Sequence, residues 1–81
     1  FNAAVARTNN SDFGMQAGLF TNDFNHVKQS HETLEVGGIM INNIPGFRID
    51  SMPYGGIKGS GLGREGIKYA MEDMTEMRLL V

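Results

Sequence analysis

"GLGREG", Gly61 to Gly66, has the spelling G-x-G-x-x-G. That spelling opens a dinucleotide-binding turn only in a particular context. A buried strand must run directly into the first glycine, and an acidic residue must follow about 20 positions on to hold a ribose. Here the preceding residues are "GGIKGS", Gly55 to Ser60, which cannot form such a strand. The chain has 81 residues, so only 15 follow Gly66 (81 − 66). The helix expected after the motif is the one feature that agrees. The glycines are therefore read as a place where the backbone turns sharply and packs closely before a helix. No Gly-Lys-Ser/Thr follows, so a Walker-type phosphate loop is excluded as well.

The rest of the chain sorts around this stretch. Downstream, a helix is expected from Arg64 to Met74, with Ile67, Ala70, Met71 and Met74 on one face. "EMRLLV", Glu76 to Val81, is expected to close the chain as a strand. Upstream, Asn43 to Gly63 holds both prolines and most of the glycines and shows no periodicity. Long loops of this kind inside a domain are usually functional or disordered. Before it come two strands, "MQAGLFT" (Met15 to Thr21) and "GIMIN" (Gly38 to Asn42). Between them a helix begins at Asp23, capped by Asn22, with Phe24, Val27, His31 and Leu34 as its apolar stripe. Gly37 and Gly38 stop it. Strand, helix and strand with tight connections predict a βαβ unit, its strands parallel and its crossover right-handed. "TNNSDFG" before it reads as a loop, and Phe1 to Arg7 as a helix. That helix has no cap and no initiator Met before it, which is the expectation for part of something longer. The fold class is α/β.

Composition bounds the function. The length suits one domain with a small core. Hydrophobic residues make up 41% and charged residues 20%, as in ordinary globular proteins. A net charge of −2 without a basic block argues against non-specific binding of nucleic acid. No apolar run reaches the roughly 18–20 residues of a membrane helix, and no signal peptide is visible. The absence of cysteine removes a disulfide framework, a Cys-containing zinc site and a thiol nucleophile together, and fits a cytoplasmic setting.

Few side chains cluster by spacing. His26 and His31 are five apart, which does not place two ligands on one helical face, so no metal site is expected. His31 reads as the edge of the apolar stripe and His26 as facing solvent. Glu72, Asp73 and Glu76 read as the solvated side of a helix end, and Met71, Met74 and Met77 as core or interface filler. Lys58, Arg64 and the N-terminus of the last helix form a possible anion site; the competing reading gives Arg64 an ion pair or loop carbonyls. Phe47 and Tyr54, aromatics on the irregular loop, either line a pocket or pack the loop.

Three segments taken together, "GLFTND", "VGGIMINN" and "MPYGGIKGSGLGREGIKYAMEDMTEMRLLV", resemble the C-terminal end of the aldehyde dehydrogenase superfamily. "PYGGIKGSGLGREG" is similar to that family's P-F-G-G-x-K-x-S-G-x-G-R-E stretch, and "FRIDSMPYGG" resembles a branch that includes lactaldehyde-type and related small-aldehyde dehydrogenases. The resemblance implies a C-terminal fragment of a cytoplasmic enzyme that oxidises an aldehyde to an acid with NAD or NADP. In such an enzyme a cysteine thiolate attacks the aldehyde, hydride passes to the nicotinamide, and a glutamate-activated water releases the acid. The nucleophile, the base and the cofactor domain are then expected upstream. No catalytic role, metal or cofactor falls to this chain, which alone is expected to be inactive. Asn42 matches the asparagine ending a family strand near the active-site core. Phe47 and Tyr54 match aromatic positions of the substrate funnel, Tyr54 standing where Phe is more frequent. Gly55, Gly56, Ser60, Gly61, Gly63, Arg64 and Glu65 match the signature loop. Residues 1–75 are expected to be the end of the catalytic domain. Residues 76–81 form an oligomerisation strand offering Met77, Leu79, Leu80 and Val81. The partners implied are the remainder of the enzyme chain and other copies, with no nucleic acid or membrane. The alternatives are a stand-alone binding or assembly module without chemistry, and a small anion-binding protein using the helix near Arg64.

Overall fold

The computed structural model describes every residue from Phe1 to Val81. The chain mixes short helices and strands in the order α1 (Asn2–Asn9), β1 (Phe13–Gly14), β2 (Gln16–Leu19), α2 (Phe24–Thr33), β3 (Gly38–Ile41), β4 (Ile57–Lys58) and α3 (Ile67–Asp73). β2 and β3 pair in parallel, Gln16 opposite Gly38 through Leu19 opposite Ile41, and α2 lies between them in sequence. The Asn42 N–H extends this ladder to Leu19 O at 2.7 Å.

α2 is capped by Asp23 and not by Asn22. Asp23 has extended backbone (φ −99°, ψ 113°), and its Oδ1 accepts from the Asn25 N–H at 2.8 Å. A carboxylate there also meets the positive end of the helix. The expected apolar stripe is only partly turned inward. Val27 and Leu34 are half-buried, whereas Phe24 is 78% exposed and His31 faces solvent. The residue α2 buries completely is Ser30, whose Oγ has no hydrogen-bond partner.

The stretch expected to be loop from Asn43 to Gly63 contains β4, which pairs antiparallel with β1, Phe13 opposite Lys58 and Gly14 opposite Ile57. Both strands are two residues long, too short to show alternation in the sequence. α3 begins at Ile67 instead of Arg64. Gly66 sits at φ 116°, ψ 140°, outside the helical region, and the Glu65 main chain is engaged with Tyr54. Glu76–Val81 is not a strand: it has no regular structure and is exposed throughout. A strand exists only where its N–H and C=O groups meet a partner edge, and none lies alongside these residues.

Polar side chains join the pieces. Asn9, at the end of α1, donates from Nδ2 to Thr33 O at 2.7 Å and accepts the Glu35 N–H at 2.8 Å. Gln29 Nε2 donates to Asn2 Oδ1 at 2.7 Å. Lys58 Nζ donates to Asn9 O at 2.8 Å and to Ser11 O at 3.2 Å, and it forms an ion pair with Glu35. Apolar burial is partial. The three buried residues are Gly14, Ser30 and Gly56, and no hydrophobic side chain is buried. The radius of gyration is 15.2 Å, against about 12 Å for a compact domain of this length. No helix is long and apolar enough to cross a membrane.

Met77 (101% exposed), Leu79 (83%), Leu80 (96%) and Val81 (109%) extend this open apolar surface to the chain end. Apolar surface on this scale drives association. The isolated chain is expected to form dimers or larger assemblies, with a light-scattering mass that falls on dilution. Removal of Glu76–Val81 should lower that mass. A monomer across the whole concentration range would contradict this.

Candidate functional site

Asn42 follows β3 in the left-handed region (φ 53°), and its Oδ1 accepts the Thr21 N–H at 2.9 Å. The ends of the two parallel strands are thereby tied together. The segment after it is anchored from β2: Gln16 Nε2 donates to Pro45 O at 2.7 Å and to Phe47 O at 3.2 Å. Phe47 itself is 42% exposed. An isolated antiparallel bridge closes the next part of the loop. Tyr54 N–H donates to Glu65 O at 3.1 Å, and Glu65 N–H donates back to Tyr54 O at 2.6 Å. The half-buried Tyr54 ring carries Arg48 on its face, the guanidinium carbon 4.9 Å from the centroid. Arg48 Nη2 is also 3.0 Å from Glu65 Oε2. The structure thus groups Arg48, Tyr54 and Glu65. Phe47 is positioned separately, through Gln16.

Inside the closed loop the signature residues hold backbone. Arg64 Nη1 donates to Gly63 O at 2.7 Å and to Gly56 O at 3.1 Å. Ser60 Oγ accepts the Gly14 N–H at 2.9 Å, fastening the loop to β1. Two glycines are required by close approach. A Cβ on Gly37 would overlap the Gly55 carbonyl oxygen, and a Cβ on Gly55 would lie 2.6 Å from Gly63 O. The loop is therefore pressed against the start of β3 at one side and against itself at the other.

"GLGREG" does not have the surroundings of a dinucleotide turn. The strand before it, β4, is two residues long and is separated from Gly61 by Gly59 and Ser60. Gly61 and Gly63 adopt positive φ (130° and 69°), and the helix that follows has seven residues. The two cations weighed for an anion site have protein partners: Lys58 bonds Glu35, Asn9 and Ser11, and Arg64 bonds Gly56 and Gly63.

The histidines exchange the places expected for them. His26 is half-buried and stacks on Phe1, ring centroids 4.1 Å apart and planes 16° apart, whereas His31 is exposed. No group of three or more His, Asp or Glu side chains is placed to hold a metal. Glu72, Asp73 and Glu76 are exposed. The largest groove, about 720 Å³, runs along α3 between Asp50, Ser51, Ile67, Lys68, Met71, Glu72 and Thr75. Asn42, Phe47 and Tyr54 do not line it. Composition and spacing missed Arg48 and Gln16, because neither falls in a motif and each acts across a long loop. The pairing of Arg48 with the signature glutamate becomes visible only when the bridge brings them together.

Comparison with known proteins agrees over nine-tenths or more of the chain. Residues 1–80 match the model of the aldehyde dehydrogenase family. A lactaldehyde dehydrogenase from Methanococcus maripaludis is 58% identical over 78 residues, which is 96% of this chain and 17% of that protein. An aldehyde dehydrogenase from Physcomitrella patens, solved with the reaction product succinate, superposes with a TM-score of 0.90 at 51% identity. That match covers 93% of this chain and 16% of the other. A glyceraldehyde-3-phosphate dehydrogenase from Methanocaldococcus jannaschii, complexed with NADP, gives 0.87 at 48% identity, over 90% of this chain and 16% of that one. This chain therefore spans about a sixth of the length of these proteins.

Gly37→Ala should force the loop off β3 and destabilise the fold by about 1–3 kcal/mol, the usual range for overpacking a close contact. The expected result is a lowered urea midpoint with unchanged m-value. An unaltered midpoint would show that the contact yields without cost.

Proposed function

The chain belongs to the aldehyde dehydrogenase family, and from that premise we propose that it is the C-terminal segment of a cytoplasmic NAD(P)-dependent enzyme oxidising an aldehyde to a carboxylic acid. The observation that carries this reading is the match of residues 1–80 to the family. The chain has no cysteine, so the thiol that family chemistry calls for comes from elsewhere in the enzyme. Nor do the residues around Gly61–Gly66 suit a dinucleotide, so the cofactor is also held elsewhere.

The part of the reaction that falls to this chain is shaping the aldehyde's approach. Phe47 and Tyr54 face the substrate. The Tyr54 hydroxyl adds a polar group where an apolar ring alone would favour alkyl aldehydes. Arg48, on the Tyr54 face, puts a positive charge beside it. The names of two similar structures carry anionic compounds, succinate and glyceraldehyde-3-phosphate. That agrees with a small aldehyde bearing a polar or anionic substituent. Asn42 and the loop from Gly55 through Ser60, Gly61, Gly63, Arg64 and Glu65 hold these side chains in place. Met77, Leu79, Leu80 and Val81 pack against a second copy, as an oligomerisation segment.

Purified alone, the 81-residue chain should give no aldehyde-dependent NAD(P)H; turnover that follows it through purification would refute the assignment. In the full-length enzyme, Phe47→Ala and Tyr54→Phe should each change the ranking of aldehydes by kcat/KM, by about 10-fold between polar and alkyl substrates. Affinity for NAD(P) should stay within about 2-fold. A change confined to cofactor affinity would place these residues on the wrong side of the site.

A further inference from the structure

Arg48, Tyr54 and Glu65 form a closed ring of contacts. The cation lies on the aromatic face, the aromatic residue's main chain is bonded to the main chain of Glu65, and the Glu65 carboxylate returns to the cation. The side chain of Glu65 takes no part in holding the backbone bridge, which is made by the N–H and C=O groups alone. Its contact within this ring is with Arg48. We propose that Glu65 is a specificity-determining positioning residue: its carboxylate holds the Arg48 guanidinium over Tyr54 and masks its charge. An anionic group on the aldehyde reaches that cation only in competition with Glu65. The inference rests on the reading of Arg48 and Tyr54 as substrate-facing.

Two properties support this role. A guanidinium presents five N–H donors in a planar fork, so it can turn one edge to Glu65 and another to a second anion. Finally, the stack on Tyr54 holds the guanidinium near the ring whichever anion it meets. Glu65 then restrains preference for anionic aldehydes and lets neutral polar ones compete.

The test compares succinate semialdehyde with butanal, which differ by a carboxylate at equal chain length, on the full-length enzyme. The ratio of their kcat/KM values is measured for wild type, Glu65→Gln, Arg48→Gln and the double variant. Glu65→Gln keeps the backbone bridge and removes only the charge. It should raise the ratio in favour of the anionic aldehyde by about 3-fold, the scale of one exposed ion pair. Arg48→Gln should lower the ratio, and in the double variant the effect of Glu65→Gln should vanish. A general loss of activity affects both substrates and leaves the ratio unmoved. If Arg48→Gln lowers the ratio but Glu65→Gln does not raise it, the masking role is overturned while Arg48 keeps its place at the substrate. If Arg48→Gln has no effect, the substrate-facing reading fails and the masking role with it. Should Glu65→Gln not fold, Glu65→Asp, whose carboxylate is one methylene shorter, must move the ratio the same way.

Discussion

The ammonium of Lys58 meets the Asn9 carbonyl at the end of α1, the Ser11 carbonyl and the Glu35 carboxylate, and the arrangement of the other segments depends on that meeting. Each partner comes from a different part of the chain: the first helix, the turn before β1, and the link between α2 and β3. Lys58 itself lies in β4 at φ 54°, a conformation that a non-glycine residue adopts only when its surroundings hold it there. An ammonium is suited to the task because it donates in three directions from one point. The Lys58 side chain is 27% exposed and that of Glu35 54%, so the pair is only partly screened by solvent.

Apolar burial is incomplete, so the polar contacts between segments stand out. Not one hydrophobic side chain is buried, and Phe20, Phe24, Ile67, Met71 and Leu80 all lie open. Parallel strands normally sit inside larger sheets with both faces covered, and a two-stranded parallel pair alone is marginal. β2 and β3 form such a pair. The chain spans about a sixth of its relatives' length, and its large apolar residues lie mostly outward. Main-chain ladders, asparagine bridges and the lysine clasp join its segments.

The same economy of means builds the site. One two-way bridge between Tyr54 and Glu65 closes the loop, and inside it glycines allow the backbone to touch itself while Arg64 bonds the Gly56 and Gly63 carbonyls. The closed loop holds one guanidinium over one aromatic ring. Binding sites are commonly displayed in this way, on irregular backbone fixed by a regular frame.

Read alone, the sequence determined the order α1, β2, α2 and β3, because their apolar and turn residues recur at local spacings that need no distant partner, but β1 falls in "TNNSDFG", which reads as a loop. It also determined the family, since a dense run such as "PYGGIKGSGLGREG" specifies a backbone path residue by residue. Tertiary structure decided the rest. The β1–β4 pairing joins two dipeptides too short to carry any period. The choice of Asp23 over Asn22 as cap depended on which residue the chain left in extended backbone. The fate of Glu76–Val81 depended on a partner edge, which no residue within it can supply. The grouping of Arg48 with Tyr54 and Glu65 arose from loop closure, and a contact made by closure leaves no spacing in the sequence to read.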